Sequence, residues 1–472
     1  MPSREPDREQ MLMLPPCVDD WVLENHPARF IRNFVKSMDL EELGFKMPAI
    51  EGRPSYDSEM LLGVWIYGLM EGIRSSRKLE KGLYDSIGLI WISFNQKPDH
   101  NTLWRFCRNN RECMKKVLRE TVHLAIENNL VGFELQAVDG TKILANASND
   151  RTITQKRLAV RIKEIDREIG RIMKEVEEND EKDDSEGKGG YGLPQELEKK
   201  QKLKKDMEES LKRLKGENKK EENRTDKDSR FMKTNRGVNQ AYNAQAVVDS
   251  KTQIIVGEDV VNHSSDTCQL TRMIAEAESN TGVEAKETLA DMGYYSPEEL
   301  AKAEENGKKV VVNLPDLEKA GRYDKSAFKY DEKNDEYECQ WGGRLECFAG
   351  KKNKRGKDVK MYRCRVYKEC KHLLECTKDK RGRTIEVTKD EAVIRAIKQK
   401  SKEENWSERL KVRGRIIEPV FGVIKEVLGM RRFSCRGLEK VRVEWSTTCA
   451  IINLRKIMKY RWPKFGVVRF SG

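Results

Sequence analysis

The chain of 472 residues lacks any uninterrupted apolar run of 18 residues, which a membrane-spanning helix would need. Its first residues, Met1-Pro2-Ser3-Arg4-Glu5-Pro6-Asp7, lack the hydrophobic segment of a secretory signal peptide. The eleven cysteines are odd in number and unevenly spread, unlike the disulfide framework of a secreted protein. These absences predict a soluble, cytoplasmic protein that has no membrane partner.

Size and charge narrow the class of protein further. A chain of this length is too long to fold around a single hydrophobic core, so two or three domains are expected. Lys and Arg number 91 against 79 Asp and Glu, a net charge of +12, and such a surface attracts polyanions such as nucleic acids. For any single basic cluster the alternative is a solvated helical face, because 36% of the residues are charged.

Three acidic residues stand out by their local settings. Asp139 and Asp291 each follow a short apolar run and are soon followed by a glycine, a pattern typical of exposed strand ends. Glu418 lies in a basic, apolar-periodic segment, residues 413–425, which predicts a helix. Three oxygen donors converging from two strand ends and a helix would hold Mg²⁺ or Mn²⁺. Two such ions clamp both oxygens of an in-line phosphoryl displacement.

Through these acids and several further motifs, the sequence resembles the DDE transposases of bacterial insertion sequences. Within that family it resembles the group with a helical N-terminal domain and a split ribonuclease-H-like core. The resemblance runs from about residue 20 to about residue 460, and no single motif is specific, whereas their order and number are. The other matching segments are Gly52-Arg53-Pro54, Gly72-Ile73-Arg74-Ser75-Ser76-Arg77, Pro98-Asp99-His100-Asn101-Thr102, Tyr242-Asn243-Ala244-Gln245 and Ile417-Glu418-Pro419-Val420-Phe421-Gly422.

The resemblance implies a catalytic and metal-binding triad of Asp139, Asp291 and Glu418. With two Mg²⁺ or Mn²⁺ ions, the triad would cut DNA at the ends of an insertion sequence and join the freed end to target DNA. The partners would be double-stranded DNA and, on that DNA, a second copy of the chain, so the protein would work at the nucleoid. An inactive, repurposed DNA-binding protein is the alternative from another class, and a nuclease that acts alone is a second rival.

Cations near Glu418 are candidate DNA-binding residues. Lys425 lies seven residues after Glu418, two turns along one helical face, and the family's tyrosine, arginine, glutamate, lysine signature has the same spacing. The family's arginine position falls on Gly414, so Arg413 and Arg415 are the candidates to replace that arginine. The alternative for both is a helix start that faces solvent.

The expected fold is α/β, or α+β overall, in four parts. The apolar pattern of residues 1–130 predicts helices, and Arg74 and Arg77 recur there at helical spacing. This helical domain either binds DNA or serves only for packing. Residues 131–315 and 391–462 predict a split ribonuclease-H-like mixed sheet. Apolar residues three and four apart within 153–222 predict an inserted coiled-coil hairpin, which is either a dimerisation or DNA-reaching arm or a solvated spacer.

Residues 316–390 predict a cysteine-containing insertion with two interpretations. Four of its cysteines are candidate zinc ligands: Cys339, Cys364, Cys370 and Cys376. Five residues separate Cys364 from Cys370 and Cys370 from Cys376, whereas zinc knuckles have two to four. This spacing favours a small β insertion without metal over a zinc site.

Overall fold

The computed structural model describes most of the chain and has the predicted α+β composition, with 51% helix and 20% strand. The described residues are 17–46, 55–186, 193–216, 221–314, 328–331, 333–352, 358–387, 396–397, 399–401 and 405–461. The Gly52-Arg53-Pro54 motif therefore lies outside the described residues, as does the middle of the predicted turn between the two hairpin helices.

The N-terminal region is helical, as the apolar periodicity predicts. Local capping explains where its helices begin: His26 accepts the backbone N–H of Ala28 before a proline, and Asp57 accepts that of Met60. The helices are α1 Pro27–Lys36, α2 Ser58–Met70, α3 Ser76–Asp85, α4 Ile87–Ile92, α5 His100–Asn109 and α6 Arg111–Glu127.

The strands that follow form one six-stranded mixed sheet, named here the large sheet. Its order is β4-β5-β1-β7-β8, with β6 also paired to β5, and β7 and β8 run parallel to β1 while β5 runs antiparallel to it. Antiparallel strands come first and helical crossovers later, as predicted. The elements are β1 Gln136–Leu144, β4 Arg230–Thr234, β5 Gly237–Asp249, β6 Ile255–Val261, α9 Leu270–Thr281, β7 Thr288–Ala290, α10 Pro297–Glu305 and β8 Val310–Val312.

The predicted hairpin is present between β1 and β4. Its helices, α7 Gln155–Glu186 and α8 Leu193–Gly216, leave the core next to two short paired strands, β2 Thr152–Thr154 and β3 Glu221–Asn223. The periodic residues pack against each other in a cluster separate from the main core, formed by Leu158, Ile165, Met207 and Leu214 with partly buried neighbours. The hairpin therefore satisfies its own apolar seam.

The cysteine-containing insertion forms a second sheet, named here the insertion sheet. It is an antiparallel meander in the order β13-β12-β11-β10-β9 and has its own small core. Its elements are β9 Phe328–Asp331, β10 Glu336–Cys339, β11 Arg344–Lys352, β12 Asp358–Cys364, α11 Leu373–Cys376 and β13 Thr384–Val387.

Two C-terminal helices return to the large sheet. Helix α12, Trp406–Gly422, packs against β1, β7 and β8 and continues into a π-helical segment, Val423–Val427. Helix α13, Leu438–Arg461, lies between β6 and α6, so it connects the sheet to the helical N-terminal region. Within the described residues, no helix is both long and apolar enough to cross a membrane.

Candidate active site

The first two acids lie at neighbouring positions of adjacent strands. The parallel pairing of β1 with β7 ends where Val138 lies opposite Ala290. The next residue along the first segment is Asp139, and the next along the second is Asp291. The prediction that Asp139 ends its strand is wrong, because β1 continues to Leu144 in antiparallel pairing with the longer β5. Asp139 thus lies where one partner strand stops and the other continues, with about 20% of its side chain exposed.

The carboxylate of Asp139 is in a poorly solvated and strongly charged setting. Burial raises its pKa above the ordinary value, and the nearby charge of Asp291 raises it further. The Arg413 guanidinium, whose Nη1 is 2.5 Å from Asp139 Oδ2, opposes this, as does the backbone N–H of Gly140. Burial outweighs these partners, so the net shift of the pKa is upward.

Asp291 is held by the turn that follows it. Its Oδ1 accepts the backbone N–H of Met292 at 2.6 Å and so caps a short 3₁₀ turn, Met292–Tyr294. The ring of Tyr294 is fully buried, and its hydroxyl donates to Gln245 on β5. Tyr294 therefore packs in the core beneath the Asp291 turn.

Glu418 lies on the exposed side of α12. Its Oε1 lies beside the preceding helical turn, where a methyl group placed on Gly414 would be 2.9 Å away. Within the described residues, no three acidic, histidine or cysteine side chains already surround one ion position. The structure therefore brings Asp139 and Asp291 together, while Glu418 has not joined them in one metal-binding group.

Helix α12 carries a proline, Pro419, one residue after Glu418. A proline has no backbone N–H, so the carbonyl of Arg415 lacks the helical partner that it would ordinarily have. The Nε2 of Gln253, in the turn between β5 and β6, donates to that carbonyl at 3.0 Å. This contact ties the helix to the large sheet close to Glu418, while the Arg415 side chain stays exposed.

Lys425 lies in the π-helical segment after α12. The prediction of an unbroken helical face from Glu418 to Lys425 is therefore wrong, because the wider π turn changes the angular spacing. Lys425 is nevertheless near the first acid: burial lowers its pKa, whereas the charge of Asp139 raises it. Two cations, Arg413 and Lys425, thus face Asp139 from one helical element.

A fourth carboxylate, that of Asp266, lies beside Asp139 and Asp291. The sequence motifs did not predict that Asp266 belongs to this site. It accepts the Nζ of Lys142 at 3.2 Å and the amide groups of Asn243 and Gln245 at 2.6 and 2.8 Å. A methyl group on Gly140 would lie 2.7 Å from its Oδ1. The sequence does contain one indication of such a polar group. Asn243 and Gln245 in Tyr242-Asn243-Ala244-Gln245 are two residues apart, so both amides point to one face of β5, where a polar partner is expected.

The basic residues of the N-terminal region occupy two environments. Arg74 pairs with Glu444 at 2.5 Å and donates to the carbonyl of Arg432, so it links the helical region to α13. Arg77 lies exposed on α3, together with Lys78 and Lys81. The DNA-binding role predicted for Arg74 and Arg77 stays a prediction.

Two transposase family models match the chain. The first is described as a transposase DDE domain and covers residues 338–458, which include Glu418, α12 and most of the insertion sheet. The second is described as a transposase domain (DUF772) and covers residues 16–109 of the helical region. No curated protein matches the chain.

Proposed function

The two family matches support an insertion-sequence DDE transposase, and on that premise we propose that the chain cuts DNA at element ends and joins the freed ends to target DNA. The observation that carries the proposal is the pair Asp139 and Asp291, adjacent across β1 and β7, with α12 packed over both strands. In this proposal Glu418 is the third acid.

The residues fit a divalent cation. Two carboxylates lie at adjacent positions of neighbouring strands, and the raised pKa of Asp139 reflects the cost of holding negative charge in its poorly solvated place. A hard dication with oxygen ligands offsets that cost, so Mg²⁺ or Mn²⁺, with two ions at the complete site, suits this donor set. When bound, the metal supplies charge stabilisation for the scissile phosphate and activation of the attacking oxygen.

Glu418 would complete the site by a side-chain rotation. In this proposal helix α12 stays packed against β1 and β7 while the Glu418 side chain turns. The absence of a side chain at Gly414 leaves the Glu418 carboxylate free to lie over that turn or to turn towards the aspartates.

Arg413 and Lys425 would bind the DNA phosphate beside the acids. Arg413 contacts Asp139 directly, which makes it a better replacement for the family's arginine than the exposed Arg415. A guanidinium forms paired hydrogen bonds with carboxylate and with phosphate. Arg413 therefore orders Asp139 without DNA and can pass to the phosphate when DNA arrives.

The helical N-terminal region would hold the DNA outside the site. The exposed side chains of Arg77, Lys78 and Lys81 lie on α3, and Arg74 fastens the start of that helix to α13. Phosphate contacts of this kind fix the position of DNA and weaken with salt. We place the active species on double-stranded DNA at the nucleoid, as a homodimer that pairs two ends.

One observation favours the alternative of a DNA-binding protein without catalysis. Arg413 already pairs with Asp139, and among the described residues Glu418 stands outside the pair of aspartates, so the three acids do not form a complete metal site. The two functions differ in what Mg²⁺ does to bound DNA.

The deciding experiment incubates the purified chain with labelled duplexes that carry the ends of its element and with a target plasmid. The proposal expects metal-dependent nicks at the element end and joined products with the plasmid. Nicks without joining would indicate a solitary nuclease. Salt-sensitive binding of end DNA with no cleavage in Mg²⁺ or Mn²⁺ would support the inactive DNA-binding protein. If the chain neither binds nor cleaves the end DNA, both functions are excluded.

A further inference from the structure

Four cysteines of the insertion converge on one pocket. Cys339 ends β10, Cys364 ends β12, Cys370 lies in the following loop and Cys376 ends α11, yet all four line a single cavity of about 20 Å³. A cavity of this size has room for about one water-sized sphere. The space therefore suits a single ion enclosed by sulfur.

The geometry around Gly343 brings two of these thiols together. A methyl group on this glycine would lie 3.1 Å from Cys339 Sγ and 3.8 Å from Cys364 Sγ. The other two reach the same space from the following loop and from the end of α11, because Cys370 and Cys376 line one pocket together with Cys339 and Cys364. Four thiols this close cannot all ionise unless a cation joins them.

A backbone amide holds one of the thiols in the turn that follows it. The N–H of Gly343 donates to Cys339 Sγ at 3.2 Å. This contact orients the sulfur atom at the end of β10, and sulfur in its thiolate form is what binds metal. The turn after β10 therefore positions Cys339 for ligation.

Packing alone is a weak explanation for this cluster. The insertion sheet has a small core, made of Phe328, Tyr337, Leu345, Tyr362, Cys364 and Ile385. Sheets with so little buried apolar surface usually need a disulfide or a metal to be stable. All eleven cysteines, each within the described residues, are free thiols, which leaves the metal.

We propose that Cys339, Cys364, Cys370 and Cys376 bind one structural Zn²⁺ ion that holds β10, β12 and α11 together. Four thiolates make a closed tetrahedral site with no position for substrate. The wide spacing of Cys364, Cys370 and Cys376 follows from the topology, because the ligands come from separate element ends.

Ligation needs a small rearrangement of side chains. In the part of the chain that the structure describes, no three donor side chains already surround one ion, so the thiols must turn into the cavity about their single side-chain torsions. Arg383 also lines the pocket, and its positive charge would offset part of the negative charge of a four-thiolate site.

The test measures bound metal in the full chain and does not depend on DNA cleavage. The protein, purified without chelator, should contain roughly one zinc per chain, released when a mercurial reagent titrates the thiols. Cys370→Ser and Cys376→Ser should each lose most of that zinc. Cys370→Ser is the cleaner of the two, because Cys370 lies in a loop, whereas Cys376 packs against the sheet core. Cys347→Ser is the matched control, since Cys347 is exposed on β11 and should not affect the zinc content.

A second measurement on the unsubstituted chain covers variants that fail to fold. Replacing the metal with Co²⁺ should produce the visible absorption of tetrahedral cobalt with thiolate ligands. Preparations that contain no zinc and take up no Co²⁺ would overturn the proposal. So would iron in place of zinc, or equal zinc loss in Cys347→Ser and Cys370→Ser.

Discussion

The large sheet and the insertion sheet both gather reactive side chains, but they do so over very different lengths of chain. In the large sheet, Asp139 and Asp291 come from distant segments and meet only because β1 pairs with β7. In the insertion sheet, the four thiols lie within one meander and meet through neighbouring turns. The acid site therefore depends on the register of strand pairing between distant parts of the large sheet. The thiol site depends only on the local folding of the insertion sheet and its turns.

The two sites also differ in how their charge is compensated. Asp139 already has a cation, Arg413, and a second cation nearby, Lys425. Among the described residues, Arg383 lines the pocket beside the thiols and the N–H of Gly343 donates to Cys339, and burial raises the pKa of both Cys364 and Cys376. In the two proposals, the acid site therefore has cations of its own before a metal binds, whereas the thiol site depends on the proposed zinc for charge compensation.

The largest expected effect comes from removing the acids. Asp139→Ala, Asp291→Ala and Glu418→Ala should each lower DNA cleavage by at least about a thousandfold while DNA binding is kept, because residues of one catalytic unit fail together. Cleavage assays and gel-shift titrations on labelled end DNA measure the two activities.

Glu408→Ala is the matched control for the third acid. Glu408 is exposed on the first turn of the same helix and should be neutral. Near wild-type cleavage by any of the three acid variants would remove that residue from the site.

Next in size is the effect of the cations that face Asp139. Arg413→Ala and Lys425→Ala should lower cleavage or joining by roughly ten- to a thousandfold, the loss typical of one electrostatic stabiliser. Arg415→Ala should change the rate much less, since its side chain is exposed on the same helix. Single-turnover rates compare the three variants, and a larger loss for Arg415→Ala than for Arg413→Ala would reverse the assignment.

A glycine pair tests the packing around the acids. Gly140→Ala would place a methyl group 2.4 Å from Gln245 Nε2 and 2.7 Å from Asp266 Oδ1, so unfolding should become easier by about 1–3 kcal/mol. Gly170→Ala, on α7, meets open space and should stabilise by about 0.5–1 kcal/mol, because alanine favours a helix. Denaturant unfolding measures both, and a neutral Gly140→Ala would show that Asp266 and the amides are free to move.

A buried acid on β6 predicts a pH dependence of the large sheet. Burial, together with the negative charges of Asp259 and Glu276, raises the pKa of Glu258 to about 8 against the opposing effects of Ser446 and Lys115. The folded-state pKa exceeds the unfolded value, so the stabilising contribution is full at acid pH and is lost as pH rises towards about 8.

Glu258→Gln should remove this dependence. The variant should melt at a higher temperature than the unsubstituted chain at pH 8 and differ less from it at pH 5. Thermal melts across this range are the measurement, and parallel curves for the two proteins would contradict the predicted titration.

The smallest expected effect follows from replacing the hairpin, residues 155–220, by a short glycine-serine turn. Its apolar cluster is separate from the main core, and Thr152 pairs with Asn223 across its base, so the two chain ends are already adjacent. The large sheet should keep its cooperative melting transition. Loss of that transition would mean that α7 and α8 support the core.

The sequence by itself determined the features that depend on neighbouring residues. The apolar seam of α7 and α8, the strand before Asp291 and the helix around Glu418 all follow from periodicity or turn chemistry within a few residues. The helical start and mixed sheet were predictable for the same reason.

Tertiary structure decided what depends on pairing between distant segments. Asp139 lies within a strand because β5 is longer than β7, Arg413 rather than Arg415 meets it because of how α12 is rotated, and Asp266 joins through a loop without a motif. The cysteines converge although their spacing is unusual, since two of them end strands, one lies in a loop and one ends a helix. Local pattern carries no information about which backbones become neighbours, and that is what places these charges and thiols together.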